Sequence, residues 1–96
     1  MNGIRVFGLG ESQGYADKVC AHLAINRSKH KEEYQDDGEP YVLSSENVRG
    51  CDVFIIESLY SSAKESVSDK FVKLAFFAGS IRDASARRIS LVVPFL

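Results

Sequence analysis

Apolar residues in this chain are concentrated in four short runs, at residues 4–7, 41–43, 53–56 and 89–93, separated by longer polar or mixed stretches. The first run is interrupted only by Arg5 and the last only by Ser90. Short runs rich in β-branched residues are typical of strands buried on both faces of a sheet. Between the runs, apolar residues recur at helical spacing in two stretches. Strands that alternate with helices predict an α/β fold, in which a mostly parallel sheet carries helices on both faces.

The first helix is predicted to begin after Ser12, a residue type that caps helix N-termini well. Its apolar stripe is predicted to contain Tyr15, Val19 and Leu23, which are spaced four residues apart, with Ala16 and Cys20 beside them. His22 falls on another face of this helix. We interpret it as a solvated residue, because no second type of metal ligand stands at helical spacing from it.

The second helix is predicted to begin at Ser66, because Asp69 three residues later gives the spacing of a capping box. It should end within residues 83–86 and be the main cover of the sheet. Gly79 within it is expected to permit close packing. The predicted buried face contains Val67, Phe71, Leu74, Ala75, Ala78 and Ile81, widened by Phe76 and Phe77.

The segment between the first helix and the second apolar run is the least regular part of the pattern. Residues 27–33 hold no apolar side chain, which is typical of an exposed edge strand or a loop. His30 in this segment is interpreted as solvated. Gly38 marks a tight turn, since glycine adopts positive φ without steric cost, and Pro40 can only begin the strand that follows.

Composition limits the class of protein. The chain has 96 residues, enough for a single domain over residues 1–96, with 45% hydrophobic residues, 26% charged residues and a net charge of −1. A nucleic-acid groove would require a basic stripe, which the sequence does not show. No apolar stretch reaches membrane-spanning length and no signal peptide is evident, so we expect a cytoplasmic protein without membrane partners. Cys20 and Cys51 are then expected to be reduced and to pack as small hydrophobes.

Ligands of parallel α/β sheets bind beyond the carboxyl ends of the strands, which here carry residues 8–11 and Glu57-Ser58. Residues 8–14 fit the pattern G-x-G-x-x-x-G between a strand and a helix, the context of a dinucleotide-binding loop. Two features favour a plain tight turn instead. No apolar strand with an acidic end follows the helix, and Glu11 would repel a pyrophosphate.

Two further features are candidates for binding. Carboxylates at Asp36, Asp37 and Glu39 fit a site for a cation or a ligand amine, or else a solvated turn. Arg49 fits a phosphate contact, or else a surface arginine. No Ser/His/Asp or Cys/His arrangement is present, so the sequence predicts no catalytic residue and no metal ligand in this chain.

One long motif resembles a known family. Asp37-Gly38-Glu39, followed by Glu46-Asn47-Val48-Arg49-Gly50 and by residues 52–58, is similar to F-S-D-G-E and N-E-N-V-R-G-x-D-V-F-I-I-Q-S of ribose-phosphate pyrophosphokinase. The end of the chain, from Ala84 to Pro94, resembles A-S-A-x-R-I-T-A-V-I-P-Y of the same family. The resemblance spans nearly the whole chain and implies the N-terminal domain, with a type I phosphoribosyltransferase-like fold.

The resemblance also implies a function. The family transfers a pyrophosphoryl group from ATP to ribose 5-phosphate with magnesium, and it assembles into oligomers. Asp37 and Glu39 would contact adenine in a neighbouring subunit, and Gln35 stands near the position of the family's adenine-stacking phenylalanine. Arg49 would belong to a regulatory phosphate or ADP site at a subunit interface. Magnesium and ATP are implied for the full-length enzyme, and neither is expected to bind tightly to this chain.

Departures from the family keep two alternatives open. Glu57 replaces the glutamine of F-I-I-Q-S, Gln35 replaces a phenylalanine, and the family's catalytic and metal-binding residues would follow Leu96. The chain alone is therefore expected to be inactive. The first alternative is a non-catalytic homologue that binds full-length synthetase subunits or a regulatory nucleotide. The second is a dinucleotide-binding domain based on Gly8, Gly10 and Gly14.

Overall fold

The computed structural model describes residues 3–34, 36, 38, 40–59, 61, 62 and 64–94. Its elements follow the predicted order, with a polar strand in the segment that the pattern left as edge strand or loop. A single turn of 3-10 helix, Gly10–Ser12, precedes the first α-helix. The elements are β1 (Ile4–Gly8), α1 (Gln13–Leu23), β2 (His30–Tyr34), β3 (Pro40–Ser44), β4 (Asp52–Ile56), α2 (Val67–Asp83) and β5 (Arg88–Val92).

Three strands form a parallel sheet in the order β1-β4-β5, with β4 in the centre. The most apolar run of the sequence is therefore the strand with a hydrogen-bonded neighbour on each side, which confirms its prediction as buried. Strands β2 and β3 form a separate antiparallel hairpin. The charged strand β2 thus lies outside the main sheet, where its polar residues are tolerated.

Both faces of the sheet are covered, as the sequence predicts for a three-layer α/β fold. On one face, Phe7 and Ile55 pack against Phe77 of α2 and Val42 of the hairpin. The other face has a smaller core, in which Val6 and Ile56 meet α1. The buried residues of α1 in this core are Ala16 and Cys20.

The predicted stripe of α1 is wrong in its details. Tyr15 and Leu23 are exposed, whereas Ala16 and Cys20 are buried. Small side chains face the sheet because the helix lies close to it. Ser12 precedes α1 but makes no side-chain capping bond. Its hydroxyl instead accepts a hydrogen bond from the Ser58 amide at 3.0 Å, so Ser12 joins two loops and does not cap the helix.

Helix α2 begins as predicted, and its buried face matches the predicted one only in part. Ser66 and Asp69 form the full capping box, and Ala84 follows the last helical residue. The predicted burial of Leu74, Phe77 and Ile81 is confirmed, whereas that of Val67, Phe71 and Phe76 is wrong, since these three are exposed. Gly79 permits no close packing within the described chain, because an added Cβ would meet nothing within 4 Å. The buried residues of α2 are Lys70, Lys73, Leu74, Phe77 and Ile81.

Both cysteines are buried and free, as expected of small hydrophobic residues. Gly38 has a φ of +86°, which confirms the predicted turn. Within the described ranges, neither helix has the length and hydrophobicity needed to cross a lipid bilayer.

Candidate functional site: a charged cluster at the carboxyl edge of the sheet

The carboxyl ends of β1 and β4 lie side by side and are tied together by the chain that follows each strand. The Leu9 amide donates to the Ile56 carbonyl at 3.0 Å. The amide of Ser58 donates to the Ser12 hydroxyl. Glu57, the first residue after β4, is therefore fixed beside the glycine-rich turn after β1, at the edge where parallel sheets place their ligands.

Two glycines of this turn have structural reasons for being glycine. A Cβ at Gly8 would lie 2.6 Å from the Ala16 Cβ, because α1 packs directly on the strand end. Gly10 has a φ of +52°, and a Cβ there would lie 2.8 Å from the Lys73 Nζ. Gly14 has open space around it. The tight-turn interpretation of residues 8–14 therefore explains the glycines without a bound dinucleotide.

Lys73 is the centre of the cluster at this edge. Its Nζ lies 2.9 Å from Glu32 Oε1, 2.9 Å from Glu65 Oε1 and 3.3 Å from Glu57 Oε2. The Lys73 side chain is only 2% exposed. These carboxylates come from strand β2, from the end of β4 and from the loop before α2, so one ammonium group joins three separate segments to α2.

Glu32 accepts hydrogen bonds from two residues besides Lys73. The Gly10 amide donates to its Oε2 at 2.7 Å, and the His30 Nε2 lies 2.5 Å from the same oxygen. Burial alone would raise the pKa of Glu32. The hydrogen bonds from His30 and Gly10, together with Lys73, favour the charged form more strongly and lower the pKa to about 2.

Glu57 shows the opposite behaviour. Burial, with the nearby Glu65 and Glu32, raises the pKa of Glu57 to about 7 against the attraction of Lys73. Its Oε1 finds no hydrogen-bond donor among the described residues. A carboxyl group in this position exchanges its proton near neutral pH, and it holds that proton because its charge is the least well compensated in the cluster.

Glu65 links the cluster to the solvent-facing end of β2. The Tyr34 hydroxyl donates to Glu65 Oε2 at 2.6 Å. Burial raises the pKa of Tyr34, as does the bond to Glu65, to about 12. For Lys73, burial would lower the pKa, but its bonds to Glu32 and Glu65 raise it above its ordinary value. Tyr34 is thus neutral and Lys73 charged at physiological pH.

A second buried lysine lies on the same face of α2. Lys70 Nζ lies 3.7 Å from Glu11 Oε1, at the start of the 3-10 turn. The pKa of Glu11 is lowered, first by a hydrogen bond from the Ser62 side chain and then by the positive charge of Lys70, against the effect of burial. The cluster and this pair border an open cleft of about 480 Å³, which is lined by Gly10, Glu11, Gln13, Glu32, Tyr34, Lys64 and Glu65.

This arrangement can stabilise the fold, because Lys73 joins three segments to α2, and it can bind and release a proton at Glu57. The three carboxylates of the cluster surround the Lys73 ammonium. In the part of the chain that the structure describes, no group of three acidic, histidine or cysteine side chains could hold a metal ion. The magnesium that the resemblance implies for the full-length enzyme stays a prediction.

The sequence-predicted binding residues do not belong to this cluster. Arg49 is exposed and precedes β4, at the amino edge of the sheet. Its amide donates to the Asn47 side chain at 3.0 Å, and the next amide, of Gly50, donates to the Ser85 carbonyl at 2.9 Å. Asp36 is exposed. Gln35, Asp37 and Glu39 lie outside the described residues.

Sequence reasoning missed Lys73, Glu32 and Glu65, and it was wrong about His30. The His30 side chain is 3% exposed, and its ring contacts those of Phe7 and Phe77. One signal was available. Lys70 and Lys73 stand at helical spacing with Leu74, Phe77 and Ile81, so a buried face that contains lysines predicts carboxylates opposite it.

Comparison with known proteins identifies the family of the chain. A family model described as the N-terminal domain of ribose phosphate pyrophosphokinase matches residues 4–96. The ribose-phosphate pyrophosphokinase of Corynebacterium ammoniagenes is 29% identical over 94 residues, which are 98% of this chain and 28% of that protein. The enzyme of the same name from Parasynechococcus marenigrum is 34% identical over 92 residues, 96% of this chain and 27% of the relative.

A solved structure agrees with these relatives. Phosphoribosylpyrophosphate synthetase from Mycobacterium smegmatis superposes with a TM-score of 0.84 at 25% sequence identity. The superposition covers 97% of this chain and 30% of the other. The fold is thus that of the N-terminal part of such a synthetase, as the resemblance implies, and the chain spans less than a third of the length of these relatives.

Proposed function

Because this chain belongs to the family of ribose-phosphate pyrophosphokinase N-terminal domains, we propose that it serves the synthesis of phosphoribosyl pyrophosphate from ATP and ribose 5-phosphate, with AMP as the second product. The observation that carries this proposal is the family match over residues 4–96. The chain corresponds to 28% of the Corynebacterium ammoniagenes relative. Its proposed share of the work is to supply nucleotide contacts and an oligomer interface.

The chemical step is assigned to residues outside this chain. In the described part, the charged cluster offers neither a free nucleophile nor a metal-binding set. Glu57 exchanges a proton near neutral pH, but the side chain is 2% exposed and cannot reach a substrate. The 96-residue chain is therefore expected to form no phosphoribosyl pyrophosphate alone, and magnesium would act with residues of the full-length enzyme.

The proposed nucleotide contacts are Gln35, Asp37 and Glu39, which connect the two strands of the hairpin. Exposed Asp36 and the positive φ of Gly38 support a solvent-facing turn there. In the proposed assembly this turn approaches the adenine of ATP held by a neighbouring subunit. Carboxylates suit that task because they accept hydrogen bonds from an exocyclic amine.

Arg49 is proposed to bind a regulatory phosphate, such as those of ADP, at a subunit interface. Two features support this role. The residue is exposed, and it lies next to a turn held by the bond between Gly50 and Ser85, so its backbone is anchored while its guanidinium faces outward. A guanidinium on a fixed turn is well suited to bidentate phosphate binding.

A calorimetric titration of the protein with ATP and with ADP tests both contacts. We expect Asp37→Asn combined with Glu39→Gln to weaken ATP binding about tenfold, in line with the loss of one or two hydrogen bonds. Asp36→Asn is the matched control. For the regulatory site, Arg49→Ala should weaken ADP binding, with exposed Arg82→Ala as the control. Equal affinities in variant and control would contradict each assignment.

A non-catalytic role as a partner of full-length synthetase is the second candidate. It is favoured by Glu57, which departs from the family's glutamine and lies 3.3 Å from the buried Lys73 ammonium. The test is to mix this protein with an active synthetase and to measure co-elution and the rate of product formation. If the two proteins do not co-elute and the rate does not change, this candidate is eliminated. A cytoplasmic location and homo-oligomeric or synthetase partners complete the proposal.

A further inference from the structure

The hairpin β2–β3 stands apart from the main sheet, so its orientation depends on side chains that join it to the rest of the molecule. Three residues of β2, two positions apart, make such contacts. His30 packs on Phe7 with ring centroids 6.2 Å apart. Glu32 accepts from the Gly10 amide, and Tyr34 donates to Glu65. One side of the strand is thus attached at three levels along its length.

Two of these three residues, Glu32 and Tyr34, are also connected to one residue of α2, Lys73. Lys73 binds Glu32 directly at 2.9 Å. It also binds both oxygens of Glu65, at 2.9 and 3.0 Å, and Glu65 is the acceptor for Tyr34. Glu32 and Tyr34 are therefore both linked to a single buried ammonium group in α2, Glu32 in addition to its bond from the Gly10 amide. His30 packs on Phe7 through its ring and joins the same network only through its bond to Glu32.

We propose that Lys73 is the positioning residue of the hairpin, and that through Glu32 and Glu65 it sets the position of the outer ends of β2 and β3 relative to the main sheet. The part of this inference that concerns nucleotide rests on the proposed function of the turn between β2 and β3. Lys73 touches no substrate in this scheme. It acts by holding two carboxylates that would otherwise repel each other and release the outer half of the hairpin.

Glu57 makes this hold depend on pH. The charged groups that face Glu57 are Lys73 from α2, Glu65 from the preceding loop and Glu32 from β2, which His30 contacts in turn. When Glu57 is neutral, one ammonium group serves two carboxylates. When it is charged, the same ammonium serves three. The excess negative charge then weakens the hold on Glu32 and Glu65, so the hairpin should be looser above neutral pH.

Amide hydrogen exchange of the hairpin strands, measured against β1 and β4 of the same molecule, tests the inference. Tyr34→Phe removes one hydroxyl from a half-exposed residue and should not unfold the protein. We expect it to speed exchange in β2 and β3 about tenfold. Tyr41→Phe, on the exposed side of β3, is the matched control. Equal exchange in the two variants would overturn the role of the Tyr34–Glu65–Lys73 connection.

A second pair of variants tests Lys73 itself. Lys73→Met is introduced in the background Glu57→Gln, which removes one of the three negative charges that the lysine would otherwise leave uncompensated. Relative to Glu57→Gln alone, the double variant should lose protection in the hairpin while β4 keeps it. Between pH 6 and pH 8, after correction for intrinsic exchange, hairpin protection should fall in the wild type and stay constant in Glu57→Gln. Unchanged hairpin protection in the double variant would refute the inference.

The ATP affinity of the same variants separates this inference from the proposed function. Weaker ATP binding by Tyr34→Phe, with Tyr41→Phe unaffected, would support positioning of the turn. A looser hairpin with unchanged ATP affinity would overturn the link between hairpin and nucleotide. If the wild type, alone or mixed with full-length synthetase, shows no ATP binding that Asp37→Asn combined with Glu39→Gln weakens, the proposed nucleotide contact is wrong, and the exchange measurements alone decide the role of Lys73.

Discussion

Glu57 Oε2 lies 3.3 Å from Lys73 Nζ, and each side chain is 2% exposed. Removing both charges from water is costly, and their attraction repays this cost only when the remaining hydrogen-bonding groups are satisfied. For Lys73 they are, through Glu32 and Glu65. For Glu57 they are not, since one of its oxygens has no donor in the described chain. The contacts of Lys73 therefore stabilise the fold, whereas the buried charge of Glu57 destabilises it.

Stability should rise as the pH falls from 7 to about 4.5. Burial raises the pKa of Glu57 to about 7 from 4.5, so in this window the folded protein binds a proton that the unfolded chain does not. The stabilisation is complete below 4.5 and is lost as the pH rises to 7. By linkage, the contribution is about 3 kcal/mol at most. Urea unfolding at a series of pH values measures it.

Glu32 determines the pH below which stability falls again. Its pKa is lowered to about 2, so its contribution is present above 4.5 and is lost as the pH falls toward 2. The stability maximum is expected near pH 4.5 to 5. Glu57→Gln is the control and should flatten the profile between pH 5 and 7. A wild-type profile that is flat in this window would show that Glu57 titrates normally.

Lys73→Met should destabilise the protein by about 3–5 kcal/mol, because it leaves three carboxylates without their common cation. Thermal or urea unfolding near pH 7 is the measurement. Adding Glu57→Gln should restore part of the loss, since one negative charge is removed. Lys18→Met on the exposed side of α1 is the surface control and should change stability by less than about 0.5 kcal/mol.

Gly8→Ala should destabilise the protein by roughly 1–3 kcal/mol, because the new methyl group would overlap Ala16 and the Ser12 carbonyl. Gly14→Ala is the matched control within the same motif. It lies in α1 with nothing within 4 Å, and it should stabilise the helix by about 1 kcal/mol. Similar unfolding midpoints for the two variants would contradict the close packing at Gly8.

Titration with NAD(H) should give no heat of binding. The amides of the glycine-rich turn that would bind a pyrophosphate already have acceptors. The Gly10 amide bonds to Glu32 and the Leu9 amide to the Ile56 carbonyl. The carboxylates of Glu32 and Glu11 would also repel the ligand. Saturable binding in the micromolar range would restore the dinucleotide hypothesis and require Glu32 to leave this turn.

The strands were predictable because their signal is local. The run from Val53 to Ile56 is apolar enough to require burial on both sides, and β4 is the central strand. The parallel arrangement followed from the alternation of strands with helices. The capping box at Ser66 was predictable for the same reason, since all its atoms lie within four residues.

The helix faces were not predictable from apolarity alone. In α2 the sequence offers two candidate faces, and the one with Phe71 and Phe76 is more hydrophobic. The structure buries the face with Lys70 and Lys73 instead. That choice depends on Glu32 and Glu57, which are 41 and 16 positions from Lys73 in the sequence. Periodicity within one helix contains no information about partners so distant.

The location of the site was predicted from the sequence, but most of its residues were not. The carboxyl edge of the sheet was expected to carry Glu57 and the glycine-rich turn, and it does. Lys73 was missed because the buried face of the helix was predicted from apolar positions alone. Arg49, Asp37 and Glu39 were selected by the family resemblance. Their roles stay predictions, tested by the titrations with ATP and ADP.

The arrangement around Lys73 restricts the order in which its residues can be exchanged during evolution. Glu57 can revert to glutamine in one step, because Lys73 keeps two partners. Lys73 cannot be lost first, since the buried Glu57 and the partly buried Glu32 and Glu65 would then lack their common cation. A protein that lacks this lysine would have to acquire the lysine before it acquired the three glutamates. The three glutamates are thus contingent on Lys73, and a deep mutational scan should show Lys73 becoming replaceable only in backgrounds that have already lost acidic partners.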